Sequence, residues 1–229
     1  IIALSIDSDR RIRSESMDDE GSGQVRVLIV GVARSGTTLT QRLASELDGV
    51  WVPPETHFWR HAHHLAERFS WPLSPDDVDA AIEEMRNLPG LDGYLQEIET
   101  LEGLPSEPLL WDLFTALTRA RVPADTKIIG EKTPNHVRWV SRLLAEIPQL
   151  AVVGVRRDAL STFASHARVP WGVREAERFA FRHRMADEAL LTAKHAFPER
   201  VLLFDHAAMT AEPARAQDQI AALLGVDPT

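Results

Sequence analysis

One glycine-bracketed loop, Gly31-Val32-Ala33-Arg34-Ser35-Gly36-Thr37-Thr38, carries the residue types that hold an anion. Inward-turned backbone N–H groups, a following helix start, two threonine hydroxyls and one guanidinium fork all suit phosphate or sulfate. Three further stretches add chemistry. Pro54-Glu55-Thr56-His57-Phe58-Trp59 offers a carboxylate and, as a rival, an imidazole, either able to take a proton from an alcohol. Glu131-Lys132-Thr133-Pro134 offers an ammonium for developing negative charge, with Thr133 expected to cap a helix. Arg157-Asp158 running on to Ser165 offers a second arginine with a serine eight residues later.

The loop departs from a nucleotidase loop at one decisive position. A Walker loop needs lysine where Thr37 stands, to reach the β and γ phosphates. No acidic residue closes a strand in the Walker B manner either, since the best late strand ends in Arg156-Arg157. The loop is therefore expected to hold a single phosphate without an obligatory metal. Arg156 is expected to face away, and Asp158 and Asp205 to cap helices or pair with arginines. His61, His63 and His64 lack a supporting carboxylate pair or cysteine and read as solvated helix histidines, so no metal site is expected.

Each motif lies just past a stretch that reads as a strand. Val25 to Val30 is a β-branched apolar run suited to a buried parallel strand, and Leu39, Leu43 and Leu47 follow at helical spacing. Val50-Trp51-Val52, Lys127 to Gly130, Ala151 to Val155 and Val201 to Phe204 read as further strands. Ser74-Pro75-Asp76-Asp77 starts a helix, and Thr133-Pro134 opens another carrying Val137, Val140, Leu143 and Leu144. Long and closing helices are expected over about 174–195 and 213–224, the latter stopped by Gly225. The alternation predicts an α/β fold, an open, mainly parallel sheet of about five strands flanked by helices. In such a sheet, ligands bind outside the carboxyl ends of the strands, the address all four motifs share. Residues 1–24 read as a flexible leader and 25–229 as a single domain, with 60–125 a helical insertion on the acceptor side. Trp59, Trp71, Trp111 and Tyr94, in or near that insertion, could line an amphipathic cleft.

The 229 residues are 44% hydrophobic and 26% charged, the balance of an ordinary globular protein. A formal net charge of −9 argues against nucleic acid or an anionic membrane as partner, although a local basic cleft could override the average. There is no cysteine, which excludes disulfides and thiolate chemistry and fits a reducing, cytoplasmic setting. No apolar run approaches the roughly 20 residues of a membrane span.

Arg34-Ser35-Gly36-Thr37-Thr38 after a strand resembles the 5′-phosphosulfate loop of sulfotransferases that use PAPS, 3′-phosphoadenosine 5′-phosphosulfate. Arg157 and Ser165 reproduce the family's 3′-phosphate motif, an arginine past a later strand with a serine eight residues on. Glu55 to Trp59 is similar to the Glu-x-His-Phe-Phe segment of carbohydrate sulfotransferases, where the glutamate is the general base. Glu131 to Pro134 resembles the Glu-Lys-Thr-Pro segment of the same enzymes. The resemblance covers about Val25 to Val226, and the sequence given stops before the basic, glycine-containing loop that covers the adenosine in family members. It implies a P-loop NTPase-like sulfotransferase fold and transfer of the sulfo group from PAPS to a hydroxyl of a small-molecule, carbohydrate or lipid-like acceptor, leaving PAP. Glu55, Lys132, His57 and Arg34 would be catalytic, and Arg34, Ser35, Gly36, Thr37, Thr38, Arg157 and Ser165 would bind the cofactor. An atypical P-loop kinase and a non-catalytic nucleotide-binding protein of the same fold are the competing readings.

Overall fold

Strand β1 (Arg26–Gly31) runs through the centre of the sheet, and its side chains feed two separate cores. Leu28 and Val30 join one cluster, Val27 and Ile29 the other, and all four are fully buried. A strand covered on both faces needs apolar residues at successive positions, which is why the run is unbroken. Burying each such side chain is worth about 1.5–3 kcal/mol.

The computed structural model describes residues 26–70, 72–86, 104–106, 108, 110–118 and 121–228. The leader expected over 1–24, Trp71 and Tyr94 lie outside them. After β1 come α1 (Thr37–Ser45), β2 (Val50–Trp51), α2 (Phe58–Arg68), α3 (Pro75–Arg86) and α4 (Leu110–Thr118). Then follow β3 (Ile128–Lys132), a 3-10 helix (Pro134–Trp139), α5 (Val140–Glu146), β4 (Leu150–Arg156), α6 (Ala159–His166) and α7 (Ala176–Ala196). The chain closes with β5 (Val201–Asp205), α8 (His206–Ala211) and α9 (Pro213–Leu224). The five strands pair in the order β2-β3-β1-β4-β5, every pair parallel. The expected open parallel sheet flanked by helices is thus present, and no helix among the described residues is long and apolar enough to cross a membrane.

Three local expectations need correction. Glu131 and Lys132 belong to β3 rather than following it, because β1 carries pairing up to Leu28↔Glu131 and Ile29↔Lys132. The segment after Thr133 begins as a 3-10 helix before α5, with Pro134 at its first turn. The indoles of Trp59 and Trp111 line neither of the large clefts, and Trp59 only edges a pocket of about 20 Å³. They pack at 5.7 Å with Phe58 and Phe114 close by, and both tryptophans are buried in the core.

Candidate active site

Two residues of the β1–α1 loop adopt left-handed backbone, Arg34 at φ 72° and Gly36 at φ 111°. Gly36 is required twice over. Its φ disfavours a side chain, and a Cβ there would meet His206 Cδ2 at 2.6 Å. Helix α1 then starts from Gly36 with no side-chain cap. Its first N–H groups, which have no intrahelical partner, are left for a ligand at the positive end of the helix dipole. Gly36, Thr37 and Thr38 line the cleft above them. Ser35 does not join them. Its amide donates to the Val32 carbonyl at 3.0 Å, and its buried, unpartnered hydroxyl points beneath the loop, 2.8 Å from where a Gly31 Cβ would stand.

The second arginine motif closes on the first. Arg34 Nε donates to Ser165 Oγ at 3.2 Å, and Arg157 Nη1 donates to the Arg34 carbonyl at 2.9 Å. Arg157 is set by its backbone, whose carbonyl accepts from His183 Nε2 of α7 at 2.9 Å. Asp158 caps α6 by accepting from the Ser161 amide, whose hydrogen bonds hold its carboxyl below the usual range. Arg156 turns away to Asp187 at 3.2 Å, and Asp205 caps α8. One further tie joins the motifs: His166 Nε2 donates to the Ala33 carbonyl at 3.0 Å, while its Nδ1 accepts from the Val173 amide at 3.3 Å.

Glu55 faces the same cleft from the β2–α2 loop. Gln41 of α1 steadies that loop by donating to the Val52 and Pro53 carbonyls at 2.9 and 2.8 Å. Glu55 Oε1 accepts from Lys132 Nζ at 2.8 Å, and its Oε2 stands 3.9 Å from His57 Nε2. The three groups singled out for proton transfer and charge stabilisation therefore meet, although 77 residues separate Glu55 from Lys132. Lys132 is almost wholly buried, its side chain 5% exposed, and stands behind Glu55 rather than on the cleft wall.

Beneath this pair lies a network that spacing alone does not reveal. Glu131 is fully buried and accepts from Thr56 Oγ1 at 2.9 Å, Thr133 Oγ1 at 2.6 Å and His136 Nδ1 at 2.8 Å. Burial works to raise its carboxyl, but His136 and the two hydroxyls outweigh it and hold the group below the usual range. Thr133 stands at the N-cap of the 3-10 helix as expected, but its side chain caps no helix N–H. Its oxygen accepts the His57 amide at 3.2 Å, as Thr56 accepts the Phe58 amide at 3.1 Å. One buried carboxylate fastens the Glu55 loop to the end of β3.

The cleft these groups share is about 760 Å³, enough for a nucleotide-sized ligand. Arg34, Arg60 and Arg157 line it, with Glu55 its one carboxylate among the described residues. Sequence reasoning passed over Arg60 and His206. His206 follows β5 at the same sheet edge as the four motifs, which is the signal that would have found it. Burial and the charge of Arg157 hold its imidazole below the ordinary histidine range.

A parallel sheet whose central strand feeds an uncapped helix start beneath an arginine-lined cleft defines an α/β protein of the P-loop-like fold class. The sulfotransferase family model matches residues 26–229, and the chain belongs to that family. None of the curated proteins matches it in sequence. Among solved structures, the sulfotransferase domain of the Synechococcus PCC 7002 olefin synthase superposes with a TM-score of 0.61 at 17% identity, covering 94% of this chain and 78% of that one. A sulfotransferase domain from the curacin biosynthetic pathway gives 0.59 at 16% identity, over 89% and 74%. A sulfotransferase from Alicyclobacillus acidocaldarius gives 0.52 at 18% identity, over 88% and 81%. At these identities the likeness establishes the fold.

Proposed function

We propose that the protein transfers a sulfo group from PAPS to a hydroxyl, with Glu55 as the base. The observation that carries this reading is the meeting of three features in one cleft: the uncapped α1 start, the Arg34–Arg157–Ser165 cluster and the Glu55–Lys132 pair. The cleft fits such a donor, because two candidate anion sites, the helix start and the arginine pair, match a molecule with phosphates at both ends of a ribose. PAPS supplies a sulfo group already activated on phosphate. The chain's residues do the rest. Gly36, Thr37 and Thr38 hold the phosphosulfate end, and Arg157 with Ser165 holds the 3′-phosphate, leaving Arg34 to shift toward the leaving oxygen. Glu55 takes the acceptor proton as the new S–O bond forms, and the electron pair of the broken S–O bond leaves on PAP. Lys132 acts first through Glu55, which it orients. Residues 25–229 form the catalytic unit, to which the 60–125 segment brings Arg60 at its start.

Thermal unfolding with added nucleotides tests this. PAP should raise the melting temperature without metal, and ATP with magnesium should do so far less, by ligand linkage. Arg157→Ala should weaken PAP binding far more than adenosine 5′-phosphate binding, by about tenfold or more, since charge-assisted bonds of this kind are worth about 1.5–3 kcal/mol. Equal stabilisation by both nucleotides, or a need for magnesium, overturns the assignment.

A further inference from the structure

A second cleft of about 610 Å³ adjoins the first, sharing Ala33, Asn135 and Trp171 with it. Its lining combines two chemistries. Trp171, Phe181 and Met185 stand 63%, 59% and 47% exposed, large apolar side chains gathered at one site. Beside them are Arg138, Arg178 and Arg182, all exposed, and among the described residues no Asp or Glu lines the cleft.

These arginines differ from their neighbours. Arg156 has Asp187, and Arg184 has Glu188 at 3.6 Å, so of the acids on α7 only Glu177 is not engaged elsewhere. None of the three has a carboxylate partner among the described residues. Arg178 and Arg182 sit four residues apart on α7, a spacing at which like charges repel. An anion between them would relieve that repulsion and supply the missing partner. Burial chiefly, with the charges of Arg34 and Arg182 after it, holds the nearby His166 imidazole below its ordinary range. In a chain whose formal charge is −9, these arginines are a local reversal of sign.

Resting on the proposed transfer reaction, we infer that this second cleft is the acceptor site and that its acceptor is an amphipathic anion: an apolar body against Trp171, Phe181 and Met185, a carboxylate or comparable anion on the arginines, and a hydroxyl presented where the clefts meet. Solvated surface arginines are common, but they do not ordinarily converge on an exposed aromatic patch free of acids. The loop carrying Trp171 is hydrogen-bonded back to the end of α6. The Gly172 amide donates to the Val169 carbonyl at 3.1 Å, and a side chain at Gly172 would strike the His166 carbonyl.

The probes are 12-hydroxydodecanoate and the neutral 1,12-dodecanediol, titrated by calorimetry into the full-length chain saturated with PAP. The hydroxy acid should bind at least about tenfold more tightly than the diol, the scale of a charge-assisted contact. Arg178→Gln with Arg182→Gln should erase that preference while leaving PAP affinity unchanged, and Arg138→Gln should reduce it independently. Trp171→Ala should weaken both probes alike. Equal affinity for acid and diol in the wild type, or a preference that survives the arginine variants, overturns the inference. If PAP fails to bind while the hydroxy acid still prefers these arginines in the unliganded chain, the transfer reading falls and the anion-binding cleft stands.

Discussion

Glu55, His57 and Lys132 form a triangle in which one carboxylate has a cation on one side and an imidazole on the other. Glu55→Gln keeps the size and polarity of the side chain but not its capacity for the proton. It should leave PAP affinity nearly unchanged and lower transfer by roughly 10²–10⁴-fold, as for a lost general base. His57→Ala should cost far less; a dead His57 variant beside a working Glu55 variant in the same initial-rate assay would move the base two residues along the loop. Residue type, spacing and family resemblance marked these residues, with Arg34, Arg157 and Ser165, as candidates, and the fold brings them to one sheet edge. Their partners were not legible. Lys132 reaches Glu55 only because β2 pairs with β3. Contacts between residues so far apart belong to the folded sheet, which local spacing does not encode.

Elements were legible where periodicity was long. Helices α7 and α9 fall within two residues of the expected bounds, and Gly225 closes α9 in left-handed conformation at φ 68°. The end of β3 and the 3-10 turn were missed because strand pairing decides the first, and a proline helix start does not tell 3-10 from α. The α6–α7 loop, unremarked in the sequence, is held by His166, which bridges Ala33 and Val173. Only the neutral imidazole can accept the Val173 amide. Burial, the largest cause, lowers its folded pKa, so its stabilising contribution is complete above about 6.5 and is lost as pH falls toward the lowered folded value. His206 shifts in the same direction. The melting temperature of the unliganded protein should therefore drop between pH 7 and 5, and His166→Gln should flatten the slope. An unaltered slope in that variant would remove His166 from the account.

At the scale of the whole molecule, average charge and local charge disagree. The chain carries 25 Lys and Arg against 34 Asp and Glu, yet arginines dominate both clefts. Composition discloses only the mean, and folding sorts the signs by bringing α6, α7 and the β1–α1 loop together. Because screening lengths shrink from about 14 Å to about 4 Å between roughly 0.05 and 0.5 M salt, PAP affinity should fall by about tenfold over that range. A flat salt profile would mean that the arginines contribute little to capture. The negative remainder of the surface should meanwhile repel nucleic acid, so duplex DNA should not compete with PAP.

The grip that Arg34 keeps on Ser165, and Arg157 on the Arg34 carbonyl, means that these groups already satisfy one another. Any anion that enters must exchange bonds rather than add them. Its measured binding enthalpy will be smaller than a census of contacts in the filled site implies, while the entropic loss is also smaller because the guanidinium groups are already ordered. Tuning affinity then does not require touching the ligand: a change that loosens the internal grip alters the reference from which every ligand is weighed.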